Sequence, residues 1–303
     1  MLYPDFNDLL ALGDMKLPLM HPSSRSVKSV ISGNYRSSFR GQGLEFDSVR
    51  EYVPGDDIRN IDWRVTARTG SAHLKLFQEE KERHIVLCVD MNATMRFGTK
   101  NTFKSVQAAR VAAILGWKGI AQQDRVSACF FGDVPGGIQF FAPKRTRKSF
   151  CSLLKALADP PSENHRISLT ESMQYVSQAV HTGSLVYFIS DFMDIKKSFP
   201  QESNISYLSK TCDVVFVAIN DQADKSMYPM GSMRFRSSDL EKIHVNTESL
   251  KGRKAYADLW DEHQKLLQEI GSRWKIPILE LSTESHLQRD LILGLKNIVR
   301  RKK

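Results

Sequence analysis

Two aspartates, Asp90 and Asp191, each close a continuous apolar run: Ile85–Val89 precedes the first, and Ser184–Ile189 with Ser190 precedes the second. Two carboxylates around a divalent metal could activate water, so one expectation is a metal-dependent hydrolase or phosphatase built on this pair. Companions for such chemistry are missing. His84, His165 and His181 stand isolated, and the sequence holds no GxSxG elbow, no HExxH and no second carboxylate cluster. A GxxxxGK[ST] phosphate loop is absent too, so any energy source must belong to a partner. A plainer use is structural: Asp90 or Asn92 capping a helix, and the aspartates pairing with lysines such as Lys100 or Lys104.

The elements that must position these residues are legible from His84 onward. Apolar runs at Ile85–Val89, Val126–Phe131, Ser184–Ile189, Asp213–Ile219 and Ile276–Leu281 alternate with amphipathic stretches at about 102–122, 148–157, 171–181, 203–210, 252–274 and 285–300. Gly132-Asp-Val-Pro-Gly-Gly137 reads as a hairpin turn to a strand at Ile138–Phe141. Short apolar strands separated by helices predict an α/β fold with a doubly wound, mostly parallel sheet covered on both faces. In such sheets ligands sit beyond the carboxyl ends of the strands, where Asp90 and Asp191 both fall. The first 82 residues differ, being rich in Gly, Arg, Asp and aromatics. They are expected to form a small N-terminal, β-containing extension to an α/β domain over 83–303.

The formal charge is +9, yet the basic residues gather only at Lys144–Lys148 and Arg300–Lys303, at helix ends, and without a nucleic-acid motif. A nucleic-acid partner is therefore not expected. Cys88, Cys129, Cys151 and Cys212 lack metal or disulfide spacing and read as buried free thiols. No apolar run reaches the roughly 18 residues of a membrane span, and Met1–Asp8 does not resemble a secretory signal, so the expected location is the cytoplasm.

Residues 41–79 carry the densest pattern, with Glu45, Arg50, Tyr52, Gly55, Asp56, Asp57, Arg59, Asp62, Trp63 and Arg68 at its centre. Arginine's planar fork pairs bidentately with carboxylates. The segment is read either as an ion-pair network anchored by Trp63 and Tyr52 or as a docking surface that uses Trp63 and the arginines. It closely resembles the signature of the bacterial domain-of-unknown-function family 58. Gly41, Gly43, Phe46, Ile61, Thr66, Ala67, Lys75 and Glu79 match as well, and similarity extends through Asp90, Ser190-Asp-Phe192 and Glu280–Thr283.

That resemblance implies a von Willebrand factor A-like (Rossmann-like) domain. It also implies a non-enzymatic adaptor or co-chaperone that works with a MoxR-type AAA+ ATPase in the assembly or maturation of other proteins. It further implies a metal-ion-dependent adhesion site for Mg²⁺. Asp90, Asn92 and Thr94 would be the first element, Ser168 or Thr170 the loop hydroxyl, and Asp191 the later carboxylate. Asn92 departs from the serine expected at its position, which makes the site a degenerate one.

Overall fold

The computed structural model describes residues 3–14, 44–79, 83–160, 166–199, 203–236 and 242–301. The chain divides into two compact units, Met1–Ser24 with Arg83–Lys303, and Arg25–Glu82. The first helix, α1 (Phe6–Ala11), thus lies with the α/β unit and not with the extension that follows it in sequence. The reason is local packing. Leu9 is fully buried, its carbonyl accepts from the Trp117 indole at 3.0 Å, and Asp8 pairs with Arg110 at 2.7 Å.

In the larger unit six strands form one sheet: β3 (His84–Met91), β4 (Arg125–Gly132), β5 (Ile138–Lys144), β6 (Leu185–Ser190), β7 (Asp213–Asn220) and β10 (Ile278–Ser282). Their spatial order is β10-β7-β6-β3-β4-β5, all parallel except the edge strand β5. A tight turn returns β5 antiparallel to β4, with Gly136 and Gly137 at positive φ. The first, second and third strands of this sheet run outward to one side and the fourth, fifth and sixth to the other. That is the order of Rossmann-like doubly wound sheets.

Alternation along each strand feeds two cores. Ile85, Leu87 and Val89 pack under α3 (Lys104–Ala121), α4 (Arg147–Ala158) and α9 (Leu287–Arg301). Val86 and Cys88 pack under α5 (Leu169–Ala179), α6 (Ile205–Thr211) and α8 (Leu250–Trp274). Between β7 and α8 come a short helix, α7 (Gln222–Lys225), and a hairpin of β8 (Ser232–Arg236) and β9 (Lys242–Asn246), which the sequence pattern did not announce. Among the described residues no helix is long and apolar enough to cross a membrane.

The smaller unit holds an antiparallel pair, β1 (Leu44–Glu51) and β2 (His73–Glu79), bulged between Phe46 and Ser48. A 3₁₀ turn (Ile58–Asn60) and α2 (Trp63–Thr69) connect them. Ile61 and Leu74 are buried and form a bridge beneath this connection.

Candidate functional site

β3 and β6 are neighbours although they are the first and fourth strands of the sheet, so chain order reverses between them. Their carboxyl ends flank the topological switch point, the place where such sheets take ligands. Asp90 sits near the end of β3 and Asp191 directly follows β6; both are buried.

Asp90 is enclosed by donors. The Ser190 hydroxyl donates to its Oδ2 at 2.6 Å, while the Asn92 backbone N–H and side-chain amide donate to Oδ1 at 2.9 and 2.8 Å. Burial, and then the charge of Asp191, push its carboxyl up to about 7 despite these bonds. The Asn92 amide also reaches Ile167, 75 residues on: Nδ2 donates to the Ile167 carbonyl at 2.9 Å and Oδ1 accepts from the Ile167 N–H at 3.2 Å. Asn92 therefore staples the loop after β3 to the loop before α5. Gly132, at φ +110°, lets the end of β4 approach it; a Cβ there would stand 2.6 Å from the Asn92 nitrogen.

Asp191 has a different neighbour. Lys104, at the start of α3, places Nζ 2.8 Å from Asp191 Oδ2 and 3.2 Å from Asp224 Oδ2. Burial alone would lower the Lys104 pKa, but the two carboxylates outweigh it and hold the ammonium above its ordinary range. The other Asp191 oxygen accepts from the Met193 N–H at 3.2 Å. Between them Phe192 turns through φ +57°, a left-handed conformation held by its burial against Phe216 at 4.8 Å. Burial also raises the carboxyl of Asp194, which accepts from the Leu169 N–H at 2.7 Å.

A third carboxylate ties the strand-end loops together. Asp221, after β7, accepts from the Thr99 N–H and hydroxyl at 3.0 and 2.7 Å and from the Thr283 hydroxyl at 2.6 Å. Burial pushes this carboxyl up, but the hydrogen bonds outweigh it and leave it below the usual carboxylate range. Neither Asp221 nor Asp224 stands out in the sequence: their local signal is a helix-capping box, and the Thr99 and Thr283 partners of Asp221 lie 122 and 62 residues away.

The remaining expected ligands do not converge on the carboxylates as free oxygens. Ser168 caps α5, in a reciprocal capping box with Glu171. Thr170 lies in the first turn of that helix, and Thr94 is exposed on the 3₁₀ turn Ala93–Met95. Of the two lysines considered as partners, Lys104 holds Asp191 while Lys100 pairs with Glu284 at 3.0 Å. Among the described residues no group of three or more His, Cys, Asp or Glu is placed to hold a metal. Mg²⁺ wants carboxylate and hydroxyl lone pairs turned inward. Here Asp191 already faces the Lys104 ammonium and Asp90 accepts from the Asn92 NH₂, so a cation and a donor stand where such an ion would need ligands, and the arrangement fits it poorly.

Among the described residues of the smaller unit the expected ion-pair network shows two contacts. Arg50 pairs with Asp56 at 2.7 Å, and Lys75 approaches Asp62 at 3.8 Å. Asp57 and Asp62 serve instead as N-caps, accepting from Arg59 N–H and from Arg64 and Val65 N–H. In each the capping bonds fall on Oδ1. Arg59, Arg64 and Arg68 are exposed and form no ion pair within 4.0 Å among the described residues. Gly55 takes the positive φ that its turn requires, +109°. Tyr52 is half-buried, but Trp63 is 68% exposed and Ile58 64%. Trp63 is thus not the packing anchor of this loop. Gly41, Gly43 and His165, and the side chains of Glu45, Phe46 and Glu79, lie outside the described residues.

Residues 48–266 match the profile of the family described as "Protein of unknown function DUF58". The chain belongs to that family. Among curated proteins, uncharacterized protein Rv1480 of Mycobacterium tuberculosis strain H37Rv is 28% identical over 172 residues, 56% of this chain and 53% of its own length. The Mycobacterium bovis uncharacterized protein Mb1516 matches with the same identity and coverage. The chain spans about half the length of the curated relatives it matches. Among solved structures, the conserved hypothetical protein BatB from Bacteroides thetaiotaomicron overlaps 72% of this chain and 99% of its own at TM-score 0.47 and 11% identity. The pilus adhesin SpaC from Lactobacillus rhamnosus GG overlaps 74% and 31% at TM-score 0.41 and 10% identity. Overlaps this loose say nothing about what a DUF58 chain binds.

Proposed function

We propose that this DUF58 chain is a non-enzymatic interaction module of the von Willebrand factor A type that serves as an adaptor or co-chaperone for a MoxR-type AAA+ ATPase. The observation that carries the reading is the exposed apolar and arginine content of the segment between β1 and β2. Trp63, Ile58 and Val53 are exposed in the same segment as the exposed Arg59, Arg64 and Arg68. Aromatic and arginine side chains of this kind anchor interfaces. The partner's identity is supported by the resemblance of the signature segment, and a partner that hydrolyses ATP would supply the energy source this sequence lacks.

The strand-end edge of the larger unit offers a second contact surface. Phe97, Met193 and Tyr228 are exposed on the loops after β3, β6 and β7. The buried carboxylates between those loops then set the loop positions. The hydrolase alternative has less support: water activation needs carboxylates turned to a metal, and those of Asp90 and Asp191 already accept from Ser190, Asn92, Lys104 and Met193.

Affinity capture of the tagged chain from its own host cells tests the proposal. Recovery of an AAA+ ATPase by the wild type, and its loss with Trp63→Ala, is the expected result. Repeated capture without any AAA+ protein would remove the proposal.

A further inference from the structure

Lys104 is a cation in an unusual place. It opens an 18-residue helix, where the dipole opposes positive charge, and it is buried there among carboxylates from two other strands' loops. Nothing in the first turn of α3 compensates, since that turn contains no acidic residue. The charge is held from outside, by Asp191 after β6 and Asp224 after β7, with the ring of Phe97 5.7 Å from Nζ. Those loops belong to three different strands, and the ammonium is the point at which they meet. A divalent ion bridging carboxylates from several loops would have the same effect on the same edge.

We infer that Lys104 is the resident cation of the switch-point site: its ammonium takes the position and the loop-bridging role of a divalent metal, and Asn92 caps the Asp90 oxygen that would otherwise face that metal. The second half rests on Asn92 presenting a donor, its NH₂, toward Asp90 while its amide oxygen turns away to the Ile167 N–H. A serine hydroxyl could turn a lone pair to a metal, whereas this amide is locked by two bonds to Ile167. A dication on Asp191 would also stand close to Nζ in a site with little water to screen the repulsion.

Removing the lysine leaves Asn92 on Asp90 but opens Asp191 and Asp224 to a divalent ion, so the vacated position should take up a metal that the wild type does not. The test is Mn²⁺ titration by calorimetry on the full chain as wild type, Lys104→Ala, and Lys104→Ala combined with Asp191→Asn. The expected result is no binding by the wild type, one-to-one binding by Lys104→Ala, and loss of that binding when Asp191 is also changed. One-to-one binding by the wild type that disappears in Asp191→Asn overturns the inference. So does a folded Lys104→Ala protein that binds no Mn²⁺, because the lysine would then not hold a cation's position. Lys104→Gln, which keeps the stem and removes the charge, carries the same measurements if the alanine variant does not fold. The inference stands apart from the partner proposal, because its failure is read in metal binding and that of the proposal in ATPase capture.

Discussion

Replacing Lys104 by methionine keeps most of the side-chain volume and removes only the charge. The Lys104 side chain is 3% exposed, Asp191 4% and Asp224 11%, so two carboxylates would be left facing one another almost without water. Breaking one partner of a buried pair costs about 3–5 kcal/mol, because the remaining charge has neither solvent nor counter-ion. For a domain of roughly 150–250 residues each kcal/mol moves the melting midpoint by about 2–4 °C, which gives a predicted fall of about 6–20 °C. The stranded carboxylates can relieve their repulsion by taking up a proton, so the penalty should shrink as pH is lowered toward 5. Lys100→Met is the control, since it removes only the exposed pair with Glu284 and should leave the midpoint unchanged. Urea and thermal unfolding followed by circular dichroism at pH 7.5 and pH 5 measure both effects. A Lys104→Met protein within about 1 kcal/mol of wild type at pH 7.5 would refute the reasoning, because that is the scale of an ordinary surface change.

Asn92→Ala deletes three side-chain hydrogen bonds, one to Asp90 and two to Ile167, and leaves the Ile167 N–H and carbonyl without these partners. A loss of about 1–3 kcal/mol is expected in urea unfolding, with faster amide exchange at Ile167, and an unchanged exchange rate there would contradict the staple. His84 supplies a pH dependence at the opposite end of β3. Burial, with His181 and Arg125 adding to it, lowers its pKa from 6.5 to about 4, and the imidazole bonds Ser127 and Ser184. A lowered folded-state pKa means that the unfolded chain takes up the proton first. The contribution is therefore complete above about pH 6.5 and is lost as pH falls toward 4. Between pH 7 and pH 5 the wild type should lose about 1–2 kcal/mol, discounted for partial exposure, that His84→Gln does not lose. Equal losses in the two proteins would dismiss His84 as the source.

The α/β unit is legible in the sequence because its strands are buried on both faces, and such runs need no long-range information. Leu185–Ile189 and Val214–Ile219 are uninterrupted apolar stretches, and their lengths alone separate them from helices. The β8–β9 hairpin escapes notice because Ser232–Arg236 and Lys242–Asn246 mix charged and apolar residues over only five positions each. The α5 start is displaced because Thr170 belongs inside the helix and Ser168 is the cap, a distinction that the Ser-Leu-Thr-Glu spacing leaves open until the Glu171 contact is seen. At the site, both strand-end aspartates can be located from sequence, but what neutralises them cannot. Lys104 and Asp191 are 87 residues apart, Asn92 and Ile167 75, and nothing local marks either pair. The signature segment shows the opposite limit. Its acids and arginines suggest pairing by proximity, yet of these arginines only Arg50 pairs with a neighbouring acid among the described residues, Asp57 and Asp62 act as caps, and Trp63 is exposed.

The exposed segment around Trp63 is proposed to bind a AAA+ partner. A calorimetric titration of the purified chain with the purified MoxR-type ATPase of the same organism, in wild-type and Trp63→Ala forms, tests it most directly. A central aromatic anchor is worth about 2 kcal/mol or more, so Trp63→Ala should bind roughly thirtyfold more weakly while its unfolding midpoint stays that of the wild type. Wild-type protein that gives no binding heat, or a Trp63→Ala variant that binds as tightly as wild type, would contradict the account.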